Sequence, residues 1–172
     1  GNSAAANADA LVYDVMAAFY TACSSFMSQN FGAGNRTRVI RSYYISLAYS
    51  FGIGAVLGGM LLLFGDKFLM LFTTDPEVAN YAYLRMCTLL PFYFFVPLYE
   101  IGGAALRGIG HSLAPALLTV LGTCVLRLIW VFTVCQVYHS YQVLMIVYPI
   151  TWLLTGTAIM ICYFYHDRKL LR

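Results

Sequence analysis

Apolar residues along this chain form five long runs separated by short polar segments. Each run approaches the ~20 residues that an α-helix needs to cross a bilayer, whereas the strands of a membrane barrel need only ~10 alternating residues. The pattern therefore predicts an all-α, polytopic transmembrane helix bundle. The predicted spans cover about residues 4 to 28, 40 to 64, 76 to 106, 112 to 136 and 141 to 165.

The composition agrees with an integral membrane protein. Hydrophobic residues make up 61% of the chain and charged residues only 10%. Charged residues are about a quarter of an ordinary soluble domain, so that class is excluded. The five cysteines lie within or near apolar spans, without paired or metal-ligand spacing, and we expect them to be small buried hydrophobes.

The third span contains two prolines and a carboxylate. Pro91 and Pro97 each remove a backbone donor, so the helix is expected to bend or loosen there, and both are hinge candidates. A carboxylate at membrane depth costs about 2.5 to 3.5 kcal/mol on insertion scales, so Glu100 is expected to face protein or a water-filled cavity. Glu100 is therefore a functional candidate. The alternative is a structural hydrogen bond to a neighbouring helix.

The first span is the most polar. Polar residues at every seventh position drift by only about 20° per repeat and share one helix face. These residues are Asn7, Asp14, Thr21 and Ser28, with Ser25 beside them. This face is expected to meet water or protein, which makes Asp14 a second cavity candidate. Asp9 lies nearly opposite, at the outer end, where exposure at the interface explains it.

Arg127 lies deep in the fourth span. At 1.5 Å per residue, Arg127 is roughly 22 Å from the cytoplasmic end of its span, and Asp14 is roughly 21 Å from that of its own. Arg127 is therefore a candidate buried charge partner of Asp14. The alternative is that its guanidinium snorkels outward.

Basic residues fall mainly on one side of the predicted spans. They are Arg36, Arg38, Arg41, Arg107, Arg168, Lys169 and Arg172. The positive-inside rule places these segments and the C-terminus in the cytoplasm, and Gly1 outside. Lys67 and Arg85 fall on the other side, where Arg85 is expected to project beyond the outer interface. Transporters are often built from paired repeats, so at least one further span is expected before Gly1.

Two short segments set expectations for the helix boundaries. Thr74 and Glu77 have the spacing of a capping box, with Pro76 suited to a first turn, so a helix should start there. The segment GDKFLMLF at residues 65 to 72 is expected to lie at the outer interface as a connector.

Motifs of enzymes and metal sites are absent from the sequence. There is no HExxH, P-loop or GxSxG pattern, so no enzyme activity is expected. The histidines His111, His139 and His166 stand at span ends without ligand spacing, so no metal site is expected either.

Two loops carry a family resemblance. QNFGAGN at residues 29 to 35 follows the first span, and LRGIGHS at residues 106 to 112 follows the third. They are similar to the signatures GQNxGAGN and LRGxGxS of the multidrug and toxic compound extrusion (MATE) transporters, although Ser28 replaces the usual glycine. The motif residues are Gln29, Asn30, Gly32, Ala33, Gly34, Arg107, Gly108 and Gly110. Both loops also have a structural interpretation, as tight turns with positive φ and, for Arg107, a headgroup anchor.

The resemblance implies a fold of twelve helices in two lobes, of which this chain would cover helices eight to twelve. It implies an antiporter of the cell (inner) membrane that exports organic, often cationic, compounds by alternating access, driven by Na⁺ or H⁺. Members carry cation-binding carboxylates on the helix corresponding to residues 86 to 106, which contains Glu100. The implied partners are membrane lipid, the rest of the transporter and a small organic substrate. No cofactor beyond the coupling ion and no nucleic acid is expected.

Two other functions compete with this interpretation. A lipid-linked oligosaccharide flippase of the same superfamily would need a more strongly cationic cavity than Arg127 alone supplies. A non-transporting membrane scaffold would use the glycine faces and buried charges for assembly only.

Overall fold

The computed structural model describes residues 2–70, 75–138 and 140–170, which fold into helices without a strand among them. Within these ranges, five helical stretches are long and apolar enough to cross a membrane. They are Asp9–Gly32, Arg36–Gly65, Pro76–Gly108, Leu113–Val137 and Tyr141–His166. Each corresponds to one predicted span, which confirms the all-α transmembrane fold class.

The α-helices of the described residues are α1 (Asn2–Gly32), α2 (Arg36–Leu69), α3 (Pro76–Leu89), α4 (Val96–Gly108), α5 (Leu113–Thr119), α6 (Leu126–Val137) and α7 (Tyr141–Leu170). A 3₁₀ segment, Leu90–Phe95, joins α3 to α4, and a π segment, Val120–Val125, joins α5 to α6. The third and fourth spans are therefore interrupted, whereas α1, α2 and α7 are continuous. The predicted connector at residues 65 to 72 begins as a continuation of α2, which ends at the buried Leu69, and its residues 71 and 72 lie outside the described residues. Its position at the outer interface stays a prediction.

The 3₁₀ segment forms where the two prolines predict a loosened helix. Pro91 lies in the first turn of the 3₁₀ segment and Pro97 in the first turn of α4. Because Pro97 has no N–H to donate to the carbonyl of Tyr93, the Val96 amide bonds to that carbonyl instead, three residues back. The local 3₁₀ winding thus gives the Tyr93 carbonyl a donor that Pro97 cannot supply. A hinge role for Pro91 and Pro97 stays a prediction.

The start of α3 is capped by Asp75. Its carboxylate accepts hydrogen bonds from the amides of Glu77 at 2.9 Å and Val78 at 3.5 Å, with proline in the first turn. The helix thus starts where the sequence predicts, but with a different cap residue. Thr74, the predicted cap, lies outside the described residues.

The most buried helix is α4. Ten of its 13 residues are buried, and it packs between α1 and α7. Small residues allow this close packing. At Gly108 an added Cβ would lie 2.9 Å from the Ser24 carbonyl oxygen and 2.9 Å from the Met27 Cβ. The backbones of α1 and α4 therefore nearly touch at this end of the bundle, which fixes the position of the α4 side chains beside α1.

Candidate functional site

A polar groove opens along the surface between α1 and α4, and we call it the α1–α4 groove. Its volume is about 510 Å³. Its lining residues are Tyr13, Ala17, Tyr20, Thr21, Ser24, Ser25 and Ser28 from α1, and Glu100 and Arg107 from α4. All of them except Ala17 carry a polar side-chain atom. The α1–α4 groove is therefore a polar surface within a largely apolar chain.

Helical spacing explains how these residues come together. The α1 lining residues recur at intervals of three and four, so they form one stripe along that helix. Thr21, Ser25 and Ser28 belong to the polar face that the sequence predicts for the first span. Glu100 and Arg107 are seven residues apart on α4, so they share a face and stand about 10 Å apart along the axis.

Glu100 lies at the groove, bonded to the opposite helix. The Tyr13 hydroxyl donates a hydrogen bond to Glu100 Oε1, with a distance of 2.7 Å between the oxygens. Glu100 is half-buried and Tyr13 is 36% exposed. The carboxylate therefore borders protein and the groove, as expected for an acid at membrane depth. Its role in cation coupling stays a prediction.

Arg107 lies at the other end of the groove on α4. A Cβ added to Gly103 would lie 3.4 Å from Arg107 Nη1, so the guanidinium folds back over the preceding helical turn. Arg107 is exposed and lines the groove. One end of the groove therefore presents a carboxylate and the other a guanidinium, with hydroxyl groups between them.

Asp14 and Arg127 do not form the predicted pair. Asp14 is exposed and does not line the groove. Arg127 Nε donates to the Thr151 hydroxyl at 3.2 Å, and the guanidinium carbon lies 4.3 Å from the centre of the Tyr148 ring. The prediction is wrong because equal depth does not decide which helices touch: α6 packs on α7, whereas α1 packs on α2, α3 and α4.

The structure instead pairs two residues that the sequence interpretation left at the outer surface. Arg85 Nη2 donates to Asp9 Oδ2 at 2.8 Å, and the side chains are only 13% and 9% exposed. The Tyr93 hydroxyl also donates to the Asp9 backbone carbonyl at 3.4 Å. The expectation that Asp9 is exposed is therefore wrong, whereas the position of Arg85 beyond the outer interface stays a prediction. The sequence does contain a signal for this pair, because Asp9 and Arg85 carry opposite charges near the outer ends of the first and third spans.

The two motif loops end their helices with the same hydrogen-bond pattern. In each loop, one amide donates to the carbonyl five residues earlier. The amide of the residue just before it donates to the carbonyl three residues earlier. The bonds are Asn35 N–H to Asn30 C=O (2.9 Å), Gly34 N–H to Phe31 C=O (3.0 Å), His111 N–H to Leu106 C=O (2.8 Å) and Gly110 N–H to Arg107 C=O (3.1 Å). Gly34 and Gly110 have φ of +69° and +87°, as the Schellman cap requires. These contacts support the interpretation of both motifs as structural turns.

The other motif residues are distributed around this end of the bundle. Gln29 donates to the Ser25 hydroxyl at 3.3 Å, and Asn30 donates to the Phe26 carbonyl at 2.7 Å. Gly32 ends α1, Ala33 follows it, and Gly108 ends α4 against α1. The loops therefore hold α1 and α4 in place, and among the motif residues only Arg107 lines the α1–α4 groove.

Two histidines meet beside the second motif. The rings of His111 and His166 have their centres 4.1 Å apart, and His166 Nδ1 lies 2.9 Å from the Cys162 carbonyl oxygen. His139 lies outside the described residues. Within the part of the chain that is described, no group of three or more His, Cys, Asp or Glu side chains is arranged to hold a metal ion.

Five apolar spans, with a polar groove between two of them, define a multi-pass α-helical membrane protein. The family model described as MatE matches residues 1–133, which is more than half of the chain. The chain belongs to the MATE family.

Individual relatives agree with this assignment. The "Probable multidrug resistance protein NorM" of Thermotoga maritima is 22% identical over 143 residues, which cover 81% of this chain and 30% of that protein. A crystal structure of MATE in complex with MaL6 superposes with a TM-score of 0.89 at 17% identity, covering 98% of this chain and 38% of that chain. An inward-facing multidrug resistance MATE transporter of the MOP superfamily superposes with a TM-score of 0.84 at 16% identity, covering 97% and 39%. The chain thus spans well under half the length of these relatives.

Proposed function

We propose that this chain contributes one part of an ion-coupled antiporter that exports organic, often cationic, compounds by alternating access. Membership of the MATE family supports transport, and the name of the NorM relative concerns multidrug resistance. The observation that carries the proposal is the position of Glu100. Its carboxylate lies at a polar groove within an apolar span and accepts a hydrogen bond from Tyr13.

The coupling ion, Na⁺ or H⁺, acts at Glu100 in this proposal. An ionised carboxylate only accepts hydrogen bonds, and the Tyr13 hydroxyl donates one to Glu100 Oε1. A proton or a sodium ion on Glu100 neutralises the charge and so weakens that bond. Ion binding is thereby linked to the contact between α1 and α4. A ligand shifts a conformational equilibrium when its affinity differs between the two states, and this contact supplies such a difference.

The 3₁₀ segment Leu90–Phe95 is the proposed hinge. It separates α3, which the Arg85–Asp9 ion pair fastens to α1, from α4, which carries Glu100. Pro91 and Pro97 each remove an amide donor at this stretch, so its winding is held less firmly than that of regular α-helix. Movement at the hinge would shift Glu100 relative to Tyr13 while the outer contact of α1 with α3 holds.

Other residues have secondary places in the proposal. Arg107 and the hydroxyls of the α1–α4 groove form the wall of a substrate cavity. Asp14, exposed on α1 beside the groove stripe, is a second cavity candidate. The basic residues near the start of α2 support a cytoplasmic position for that end and for the C-terminus, in a cell inner membrane.

Efflux of a fluorescent organic cation from proteoliposomes containing the full-length protein tests the proposal. Transport is measured with an imposed Na⁺ gradient, with an imposed H⁺ gradient and with neither. The wild-type protein should export the dye under one gradient only. Glu100→Gln should abolish the gradient-dependent part, whereas Glu77→Gln, which alters an exposed glutamate in the first turn of α3, should not.

Unchanged coupled efflux in the Glu100→Gln protein would show that coupling lies elsewhere. If the protein exported no dye under any gradient, the antiporter proposal itself would be wrong. In that case, translocation of a lipid-linked oligosaccharide would identify a flippase, and no translocation of either substrate would identify a scaffold.

A further inference from the structure

A second groove lies between α1 and α2, near the loop at residues 33 to 35. We call it the α1–α2 groove. Its volume is about 420 Å³, and its lining residues are Phe26, Gln29, Asn30, Arg38, Arg41, Ser42 and Ile45. The antiport proposal assigns it no role.

The groove is cationic at its mouth. Arg38 and Arg41 line it, no acidic residue does, and neither arginine forms an ion pair within the described residues. The side chains of Gln29, Asn30 and Ser42 already donate hydrogen bonds within the protein. The two guanidinium groups are the charged donors that the groove offers to a ligand, and a planar guanidinium fits a phosphate group with two parallel hydrogen bonds.

The groove is apolar at its deeper end. Phe26 stands one turn before Asn30 on α1, which runs toward the loop, and Ile45 stands one turn after Arg41 on α2, which runs away from it. Both apolar residues therefore lie farther into the membrane than the polar ones. Within this chain the two side chains are 57% and 43% exposed, respectively. A ligand that fills this groove must be charged at one end and apolar at the other.

The groove opens away from the α1–α4 groove. Successive residues turn by about 100° around an α-helix, so Phe26 and Asn30 lie roughly 200° from Ser24 and Ser28, which line the α1–α4 groove. The two grooves therefore face away from each other around α1, and they adjoin where Gln29 donates to Ser25. A ligand in the α1–α2 groove therefore lies outside the proposed transport cavity.

We propose that the α1–α2 groove binds an anionic phospholipid. Its phosphate lies between Arg38 and Arg41, and an acyl chain lies against Phe26 and Ile45. Basic pockets between transmembrane helices at the membrane surface are suited to such headgroups. The lipid stabilises the contact between α1 and α2 from the side that faces away from the transport cavity.

Binding of phosphatidylglycerol to the delipidated full-length protein, followed by native mass spectrometry, tests this proposal. The Arg38→Gln/Arg41→Gln double variant should bind phosphatidylglycerol on the order of 30-fold more weakly, since each arginine near an anionic lipid contributes about a factor of five. The control is Arg36→Gln, which removes a neighbouring exposed charge outside the groove. It should bind nearly as tightly as the wild type.

Further measurements distinguish a phospholipid ligand from free phosphate. Phosphatidylcholine should bind weakly to all variants, and inorganic phosphate should not displace phosphatidylglycerol. A photoreactive phosphatidylglycerol with the reactive group on its acyl chain should label the wild-type protein at residues 26 to 45, a readout that needs no variant. The proposal would be overturned if Arg36→Gln weakened phosphatidylglycerol binding as much as the double variant does, or if phosphatidylcholine bound as tightly as phosphatidylglycerol. It would also be overturned if inorganic phosphate displaced the lipid, or if the photoreactive lipid labelled residues outside 26 to 45.

Discussion

Arg85 and Asp9 form an ion pair of 2.8 Å although they stand 76 positions apart in the chain. Both side chains are largely buried, so neither charge is compensated by solvent if its partner is removed. The pair therefore fastens α3 to α1 on the side of the bundle away from the motif loops.

Asp9→Ala should destabilise the full-length protein by about 3 kcal/mol, the lower end of the cost of leaving one member of a buried pair alone. Unfolding in detergent measures the change. Asp14→Ala is the matched control, because it removes an exposed carboxylate from the same helix, and it should have little effect. Replacing both partners, as Asp9→Leu with Arg85→Met, should recover most of the stability. Equal effects of the two alanine variants would contradict the assignment.

Tyr13→Phe should alter coupling rather than folding. The variant keeps the ring but removes the only hydroxyl that donates to Glu100 among the described contacts. An ion at Glu100 then no longer weakens that hydrogen bond, which is worth about 1.5 kcal/mol or more for a charged acceptor. The ion concentration for half-maximal efflux should therefore fall by roughly ten-fold. Tyr49→Phe, at an exposed tyrosine outside the α1–α4 groove, should leave that concentration unchanged.

Pro91→Ala tests the hinge. The new amide can donate to the Cys87 carbonyl and extend α3, so the 3₁₀ segment should shorten. Efflux should slow while thermal stability is kept or raised. Pro149→Ala restores an amide inside the continuous helix α7 and should not slow efflux to the same degree. Equal rates in the wild type and the Pro91 variant would remove the hinge from the proposal.

Gly108→Ala should push α4 away from α1. The added Cβ would lie 2.9 Å from the carbonyl oxygen of Ser24, a backbone atom that cannot rotate aside. Overpacking of this kind costs about 1 to 3 kcal/mol, detected as a lower unfolding midpoint. Gly59→Ala adds the same methyl group where nothing lies within 4 Å and should be neutral or stabilising. A stable Gly108 variant would show that the two backbones are farther apart.

Tyr148 should hold Arg127 through its ring rather than its hydroxyl. The guanidinium carbon lies 4.3 Å from the ring centre, within the range of a cation–π contact. Tyr148→Phe should therefore preserve stability, while Tyr148→Leu should lose about 1 kcal/mol in the same unfolding measurement. A larger loss in the phenylalanine variant would assign the contact to the hydroxyl instead.

Much of the fold follows from local sequence patterns. The five apolar runs predict the five spans, because span length and hydrophobicity are properties of each segment alone. Pro91 and Pro97 predict the irregular segment for the same reason, since a missing N–H acts on the nearest turn. The stripe containing Thr21, Ser25 and Ser28 follows from helical periodicity, and three of its members line the α1–α4 groove.

Contacts between helices do not follow from such patterns. Depth alone paired Asp14 with Arg127, although α6 packs on α7 and Arg127 is bonded there to Thr151. The partner of Arg85 is Asp9, because α3 packs on α1. The bond from Tyr13 to Glu100 likewise joins residues 87 positions apart. Each of these pairs depends on which faces of which helices meet, and that is decided by close packing at residues such as Gly108.

The winding of Leu90–Phe95 has a geometric consequence for everything that follows it. Each residue converted from 3₁₀ to α winding shortens the span by about 0.5 Å and rotates the downstream helix by about 20°. Conversion of two of these six residues turns α4 by about 40° with an axial change of only about 1 Å. Glu100 can thus be swung around the helix axis, away from the Tyr13 hydroxyl, with almost no displacement through the bilayer.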